Sequence, residues 1–203
     1  SLLPEYRGAA PVQWALINGE TRTGVTVQMI NEELDAGDIV LSQEVMVHEE
    51  MTADELYETV MPLGAELVIR AVELLGSGRR DMLVKQDHSR ATYCGKIDTE
   101  MARIDWKKSA TAVHNLVRGL NPRPVAWTTF REKQIKVWGT RIFREEFTAP
   151  APGEIAVFHK KRLIAGTGNG MVEIISLQPE TKKRMDGLAF INGYRPGPAE
   201  RFE

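Results

Sequence analysis

The apolar residues of this chain change period part-way along it. Leu56, Val60, Leu63, Leu67, Ala71 and Leu74 recur at three- and four-residue intervals, the spacing that gathers side chains on one face of a helix. From residue 125 to 177 that spacing is gone, and short strand patterns follow one another between turn signals. Strands that short are stable when their sheet closes or folds over on itself. The change predicts two architectures in one chain: an α/β part first, then a small β-barrel, OB-like among the options.

Within the first part, residues 9–17 read as a short helix, with Pro11 in its first turn and Asn18-Gly19 as its stop. Val25, Val27 and Met29 alternate with Thr26 and Gln28, a strand pattern, and residues 39–47 return as a second strand after the acidic loop 31–38. Thr52 and Glu55 form a capping-box pattern at the head of the long helix, which Gly76-Ser77-Gly78 ends. Pro62 lies inside it, where a proline removes a backbone donor, so a kink or break is expected there. Two or three strands and two helices are few for an α/β sheet. No initiator Met opens the chain, and Leu2-Leu3-Pro4 is unusually apolar for a terminus. Residue 1 is therefore expected to be an interior residue of a longer protein, with the remaining strands upstream.

Residues 79–96 are polar and weakly periodic, which predicts a linker, and 88–97 is taken as the boundary between units 1–87 and 98–203. Ser109 caps an expected helix over 110–118, stopped by Gly119 and Asn121-Pro122-Arg123-Pro124. Strands are expected at 125–130, 134–138, 142–143, 155–158, 163–165 and 171–177, with hairpin turns at Arg131-Glu132-Lys133 and Gly168-Asn169-Gly170. A last short helix is expected over 186–191.

Charge separates the same two parts. Residues 1–87 carry 6 Lys and Arg against 16 Asp and Glu, a net of −10; residues 88–203 carry 20 against 12, a net of +8. A basic unit beside an acidic one suggests a polyanionic partner for the former, although solvation of a surface explains scattered cations equally well. The single cysteine, Cys94, excludes an internal disulfide and fits a reducing cytoplasm. No apolar run is long enough for a membrane span.

Few motifs carry chemistry unaided. Gly166-Thr167-Gly168-Asn169-Gly170 lacks the GxGxxG spacing and precedes a strand, so it reads as a hairpin turn rather than a phosphate cradle. His48, His88, His114 and His159 are scattered without metal-ligand spacing, and no metal is expected. Leu34-Asp35-Ala36-Gly37-Asp38 joins two strands. It reads either as a plain turn or as a loop whose Asp orients a histidine base. Trp106, Trp127 and Trp138 lie among cations, which suits nucleic-acid contacts or, equally, a barrel core with charges outside.

Longer segments resemble one family. Ser1-Leu2-Leu3-Pro4-Glu5-Tyr6-Arg7-Gly8-Ala9-Ala10-Pro11, Ile17-Asn18-Gly19-Glu20, Thr23-Gly24-Val25-Thr26 and Leu34-Asp35-Ala36-Gly37-Asp38 resemble folate-dependent formyltransferases. Ala91-Thr92-Tyr93, Ala102-Arg103-Ile104-Asp105-Trp106, Val117-Arg118-Gly119-Leu120-Asn121-Pro122, Lys136-Val137-Trp138 and Gln178-Pro179-Glu180-Thr181-Lys182-Lys183-Arg184-Met185 resemble the tRNA-binding domain of methionyl-tRNA formyltransferases. Arg123 departs from that pattern, in which an aromatic is common between the prolines.

The resemblance implies a Rossmann-like formyltransferase domain, of which this chain holds the remainder, followed by an OB-like domain. It implies 10-formyltetrahydrofolate as donor, methionyl initiator tRNA as acceptor, a role in translation initiation, and a cytoplasmic monomer. Asp35 would be catalytic. Ser1, Leu2, Leu3, Pro4, Asn31, Glu32, Glu33 and Leu34 would bind the folate, while the family's catalytic Asn and His precede the Ser1 motif. Arg118, Arg123, Lys136, Lys182, Lys183 and Arg184 would meet the tRNA. Another folate-dependent formyltransferase or hydrolase could share residues 1–50, and a non-enzymatic RNA-binding module could share 95–203.

Overall fold

A computed structural model describes residues 1–203. The chain divides into two compact units, Ser1–Ile97 and Asp98–Glu203. No helix is long and apolar enough to cross a membrane.

The first unit places helix α1 (Pro11–Ile17) between β1 (Arg7–Gly8) and β2 (Arg22–Gln28), and β3 (Ile39–Met46) then leads to helix α2 (Ala53–Gly76). β2 and β3 form an antiparallel pair, and their connection, residues 29–38, is the acidic loop expected from sequence. Val12 and Leu16 of α1, Val47, and Ala53 and Leu56 of α2 share one buried cluster. The capping box forms: Glu55 N donates to Thr52 Oγ1 (3.4 Å) and Thr52 N to Glu55 Oε2 (2.8 Å).

Of the kink or break expected at Pro62, the break does not occur: helix α2 runs through it. Pro62 and Glu58, whose carbonyl loses its partner, are both exposed, so water can satisfy that oxygen. The stretch expected as a linker also differs. Residues 88–97 carry β4 (Tyr93–Cys94), which pairs in parallel with β1. Just before them Val84 bridges Ile39 and Gln86 is 6% exposed. Polar composition suggested a solvated segment, but its amides are used inside the first unit.

The second unit opens its regular structure with helix α3 (Ala110–Gly119), capped by Ser109 Oγ accepting from Ala112 N (3.2 Å). The strands are β5 (Ala126–Phe130), β6 (Lys133–Phe143), β7 (Ile155–Phe158), β8 (Arg162–Gly166), β9 (Met171–Pro179) and β10 (Met185–Asp186), followed by helix α4 (Gly187–Tyr194). Strands expected separately at 134–138 and 142–143 are one strand, β6, whose register against β9 shifts on either side of Gly139. A bulge lets a strand bend without ending.

The sheet order is β5-β6-β9-β8-β7, with β10 on β9 beside β8. No β5–β7 pairing closes it, so the expected closed barrel is not formed. Residues 200–203 run along both outer strands instead. Glu203 and Thr129 exchange backbone hydrogen bonds (3.0 and 2.9 Å), and Ile155 N donates to Glu200 O (2.8 Å). Under this segment Phe130, Phe190, Phe202 and Trp106 pack ring against ring. Trp106 is core, with Nε1 donating to Thr128 Oγ1 (2.9 Å).

Candidate active-site cluster and basic face

Asp35 sits where the β2–β3 connection turns back, at a positive φ of 52°. Asp tolerates that left-handed conformation better than most residues. Its side chain is held at both oxygens. Oδ1 accepts from Gln28 Nε2 (3.0 Å) and Oδ2 from Gly8 N (2.9 Å). Gly8 and Gly37 are needed where they stand. A Cβ on Gly8, at φ 124°, would meet Cys94 O at 2.2 Å, and one on Gly37 would meet Met29 O at 1.7 Å.

Asn31, Glu32, Glu33 and Leu34 are exposed, and they line a cavity of about 360 Å³ with Gln28 and Asp35. Ile30 and Leu34 are 98% and 66% exposed at its edge. Ser1–Pro4 is half-buried and pinned to β2 through Thr26 Oγ1, which accepts from Leu3 N (3.1 Å) and donates to Ser1 O (2.8 Å). Leu2, Leu3 and Pro4 line a different cavity, of about 270 Å³, with Tyr6, Glu20 and Arg22. The expected folate residues thus border two cavities, except Ser1, which lines neither, and Asp35 joins the two segments through Gly8 N.

Sequence reasoning missed most of the polar residues around these cavities. Tyr6 Oη donates to Glu20 Oε1 (2.5 Å) and accepts from Asn18 Nδ2 (3.0 Å). Burial, then the Glu20 contact, pushes the phenol up to about 12, so Tyr6 stays a neutral donor. Along the chain Gln28 is one position of an alternating strand pattern, and Gln86 lies within the polar stretch 79–96. Neither His48 nor His88 bonds to Asp35. The cluster can present an oriented carboxylate beside an open cavity, able to align and charge-stabilise a partner base.

In the second unit the expected nucleic-acid residues separate. Arg118 is 6% exposed and its Nε donates to Asn115 Oδ1 (2.8 Å) inside the unit. The surface role expected for it is therefore corrected to a core one. Arg123, Lys136, Lys182, Lys183 and Arg184 are exposed. Gln178 Nε2 donates to Lys182 O (2.9 Å), and Lys182 N to Pro179 O (3.0 Å), so the turn carrying the lysines is fixed. Arg184 lies over half-buried Trp138, 5.0 Å from its ring centroid, with Nε donating to Ser176 Oγ (2.6 Å). Lys136, Trp138, Gln178 and the 179–184 turn make one basic face. The Gly166–Gly170 segment is the expected hairpin between β8 and β9.

Residues 1–72 match the formyl transferase family model, and residues 96–195 match the model of the formyl transferase C-terminal domain. The chain belongs to the formyl transferase family. It is similar to "Methionyl-tRNA formyltransferase" of Carboxydothermus hydrogenoformans, at 42% identity over 100% of this chain and 65% of that protein. The chain thus spans about two-thirds of that relative's length. Two solved structures share its fold. HypX from Aquifex aeolicus in complex with tetrahydrofolic acid has a TM-score of 0.69 at 22% identity, over 97% of this chain and 34% of its own. An N-formyltransferase from Helicobacter canadensis, in complex with folinic acid and dTDP-3-aminofucose, has a TM-score of 0.69 at 19% identity, over 87% and 63%.

Proposed function

We propose that the whole protein transfers a formyl group from 10-formyltetrahydrofolate to the α-amino group of methionyl initiator tRNA. The observation that carries this reading is the 42% identity to a methionyl-tRNA formyltransferase across both units. A catalytic unit alone would leave the acceptor open. The basic face on the second unit supports an RNA acceptor, and we keep the OB-like description of its open sheet as part of the same proposal.

The residues around Asp35 fit a folate. The 360 Å³ cavity is bordered by the exposed stretch 31–34, and the exposed Ile30 and Leu34 can cover a flat ring. The donor supplies the formyl carbon. The acceptor amine attacks that carbon, a C–N bond forms, and the carbonyl electrons move to oxygen. Collapse then breaks the bond to the folate nitrogen, which takes a proton, while the new amide nitrogen loses one. Asp35 aligns the family's histidine for these transfers and stabilises its cationic form. The charge on oxygen needs donors, a need the family meets with its Asn and His.

Formyl incorporation into charged initiator tRNA, with release of tetrahydrofolate, tests the proposal on the full-length protein. A nucleotide-linked amino sugar is the competing acceptor, because the Helicobacter canadensis structure carries one on a related fold. Transfer to the sugar amine but not to the tRNA overturns the proposed acceptor.

A further inference from the structure

Arg7 is 2% exposed, and it is a buried cation with a neutral partner. It makes no ion pair, its Nε has no hydrogen-bond partner, and one terminal nitrogen donates to Gln86 Oε1 (2.7 Å). Burying a guanidinium beside an amide is costly for simple cohesion. What it does supply is direction. A side-chain amide has an accepting end and a donating end of nearly equal shape, and a guanidinium can only donate.

The direction propagates. With Oε1 turned to Arg7, Gln86 Nε2 faces Gly37 O (2.6 Å), Asp35 O (3.0 Å) and Gln28 Oε1 (3.2 Å). Gln28 Oε1 also accepts from Gly37 N (3.1 Å). Its accepting end is thereby fixed toward Gln86, and its Nε2 is left to donate to Asp35 Oδ1 (3.0 Å). We infer that Arg7, Gln86 and Gln28 are positioning residues. They form a one-way hydrogen-bond relay that starts at the buried cation and ends on Asp35, setting the carboxylate's orientation for formyl transfer. The relay rests on the reading of Asp35 as a working residue. It adds what holds that residue and which amide ends must face which way.

Substitutions in the full-length enzyme separate direction from bulk. Gln86→Glu keeps a partner for Arg7 but loses the donating end. The introduced carboxylate then faces Gln28 Oε1, Asp35 O and Gly37 O, all acceptors, and this repulsion displaces Gln28 and its bond to Asp35. The expected result is a fall in kcat of about 10- to 100-fold, with KM for tRNA and folate held within about threefold. Arg7→Met should behave alike, and Arg7→Lys, which restores a donor-only cation, should recover about tenfold of that loss. Asp35→Ala is measured alongside, with thermal melts and the side-chain amide NMR signals of Gln28 for every variant.

Slow Gln86→Glu and Arg7→Met enzymes that melt cooperatively, with displaced Gln28 amide signals, support the relay. Full kcat in folded Gln86→Glu overturns it. So does a loss that follows the folded fraction alone. If Gln86→Glu does not fold, the Arg7→Met and Arg7→Lys pair decides: no recovery by lysine overturns the relay. Near-normal turnover in Asp35→Ala overturns the reading of Asp35 itself. In that event Gln28 amide signals that move in Arg7→Met and return in Arg7→Lys still support the relay geometry, and unmoved signals overturn it.

Discussion

Replacing Lys182 and Lys183 together by alanine should flatten the salt dependence of tRNA binding by a calculable amount. Both side chains are exposed and make no ion pair, so each is free to displace a counterion from RNA. Each neutralised phosphate contributes roughly 0.7–0.9 to the slope of log K against log salt, so the pair should remove about 1.4–1.8. Over a fourfold rise in salt, from about 50 to 200 mM, the affinity gap between parent and variant should shrink about 7- to 12-fold. Arg184→Ala should remove about 0.7–0.9 more, and also uncovers Trp138. Arg118→Ala should leave the slope alone and lower the melting temperature, because its guanidinium is buried and bonded to Asn115. Titrations of fluorescently labelled charged initiator tRNA at four salt concentrations read all four slopes. An unchanged slope for the double variant, or a changed one for Arg118→Ala, refutes the assignment of the face.

Three further outcomes are expected. Asp35→Ala in the full-length protein should lower formyl transfer by orders of magnitude while the melt stays cooperative; stopped assays against tRNA and folate check it. Gly37→Ala should displace the Asp35 loop, since its new Cβ falls 1.7 Å from Met29 O and its amide and carbonyl bonds to Gln28 and Gln86 must lengthen. Two weakened buried hydrogen bonds cost about 2–6 kcal/mol together, readable as a lower denaturant midpoint. Glu200 is held down at about 2, against an ordinary 4.5, by the Arg131 guanidinium and then the Gly197 amide. Its folded value is depressed, so its stabilising contribution is full above about pH 4.5 and fades as pH falls through about 2. Glu200→Gln should remove that acid-range loss from thermal melts run against pH, and identical pH curves would refute it.

What the sequence made legible was what depends on neighbours a few residues apart. The capping box of Thr52 and Glu55 formed because both partners lie within one turn. The helix starting at Ser109 and the β8–β9 hairpin are equally local. The failures share a different cause. β1 and β4 are two residues each, too short to show a period, and their pairing joins Arg7 to Tyr93. Gln86 lies in polar surroundings along the chain, and its burial is explained by partners far away in sequence: Arg7, 79 positions off, and Gln28, Asp35 and Gly37. Arg118 near a helix end reads as a solvated cation until the packing around α3 is known. Barrel closure failed as an expectation because residues 200–203 carry no strand pattern, yet supply backbone groups to both outer strands.

Asp35 is held by more than its turn motif requires. Asp and Gly around a strand connection are ordinary turn formers, and composition gives no reason to look further. The three-dimensional reason is that each carboxylate oxygen faces a donor, Gly8 N on one side and Gln28 Nε2 on the other. An asparagine would tolerate the same positive φ. It has one accepting oxygen, however, and would turn its amino group onto one of those donors. A glycine would fit the backbone and answer neither. The residue type is thus set twice, by a turn that tolerates few side chains and by two donors that only a carboxylate can satisfy together. A turn alone accounts for the first requirement and not for the second.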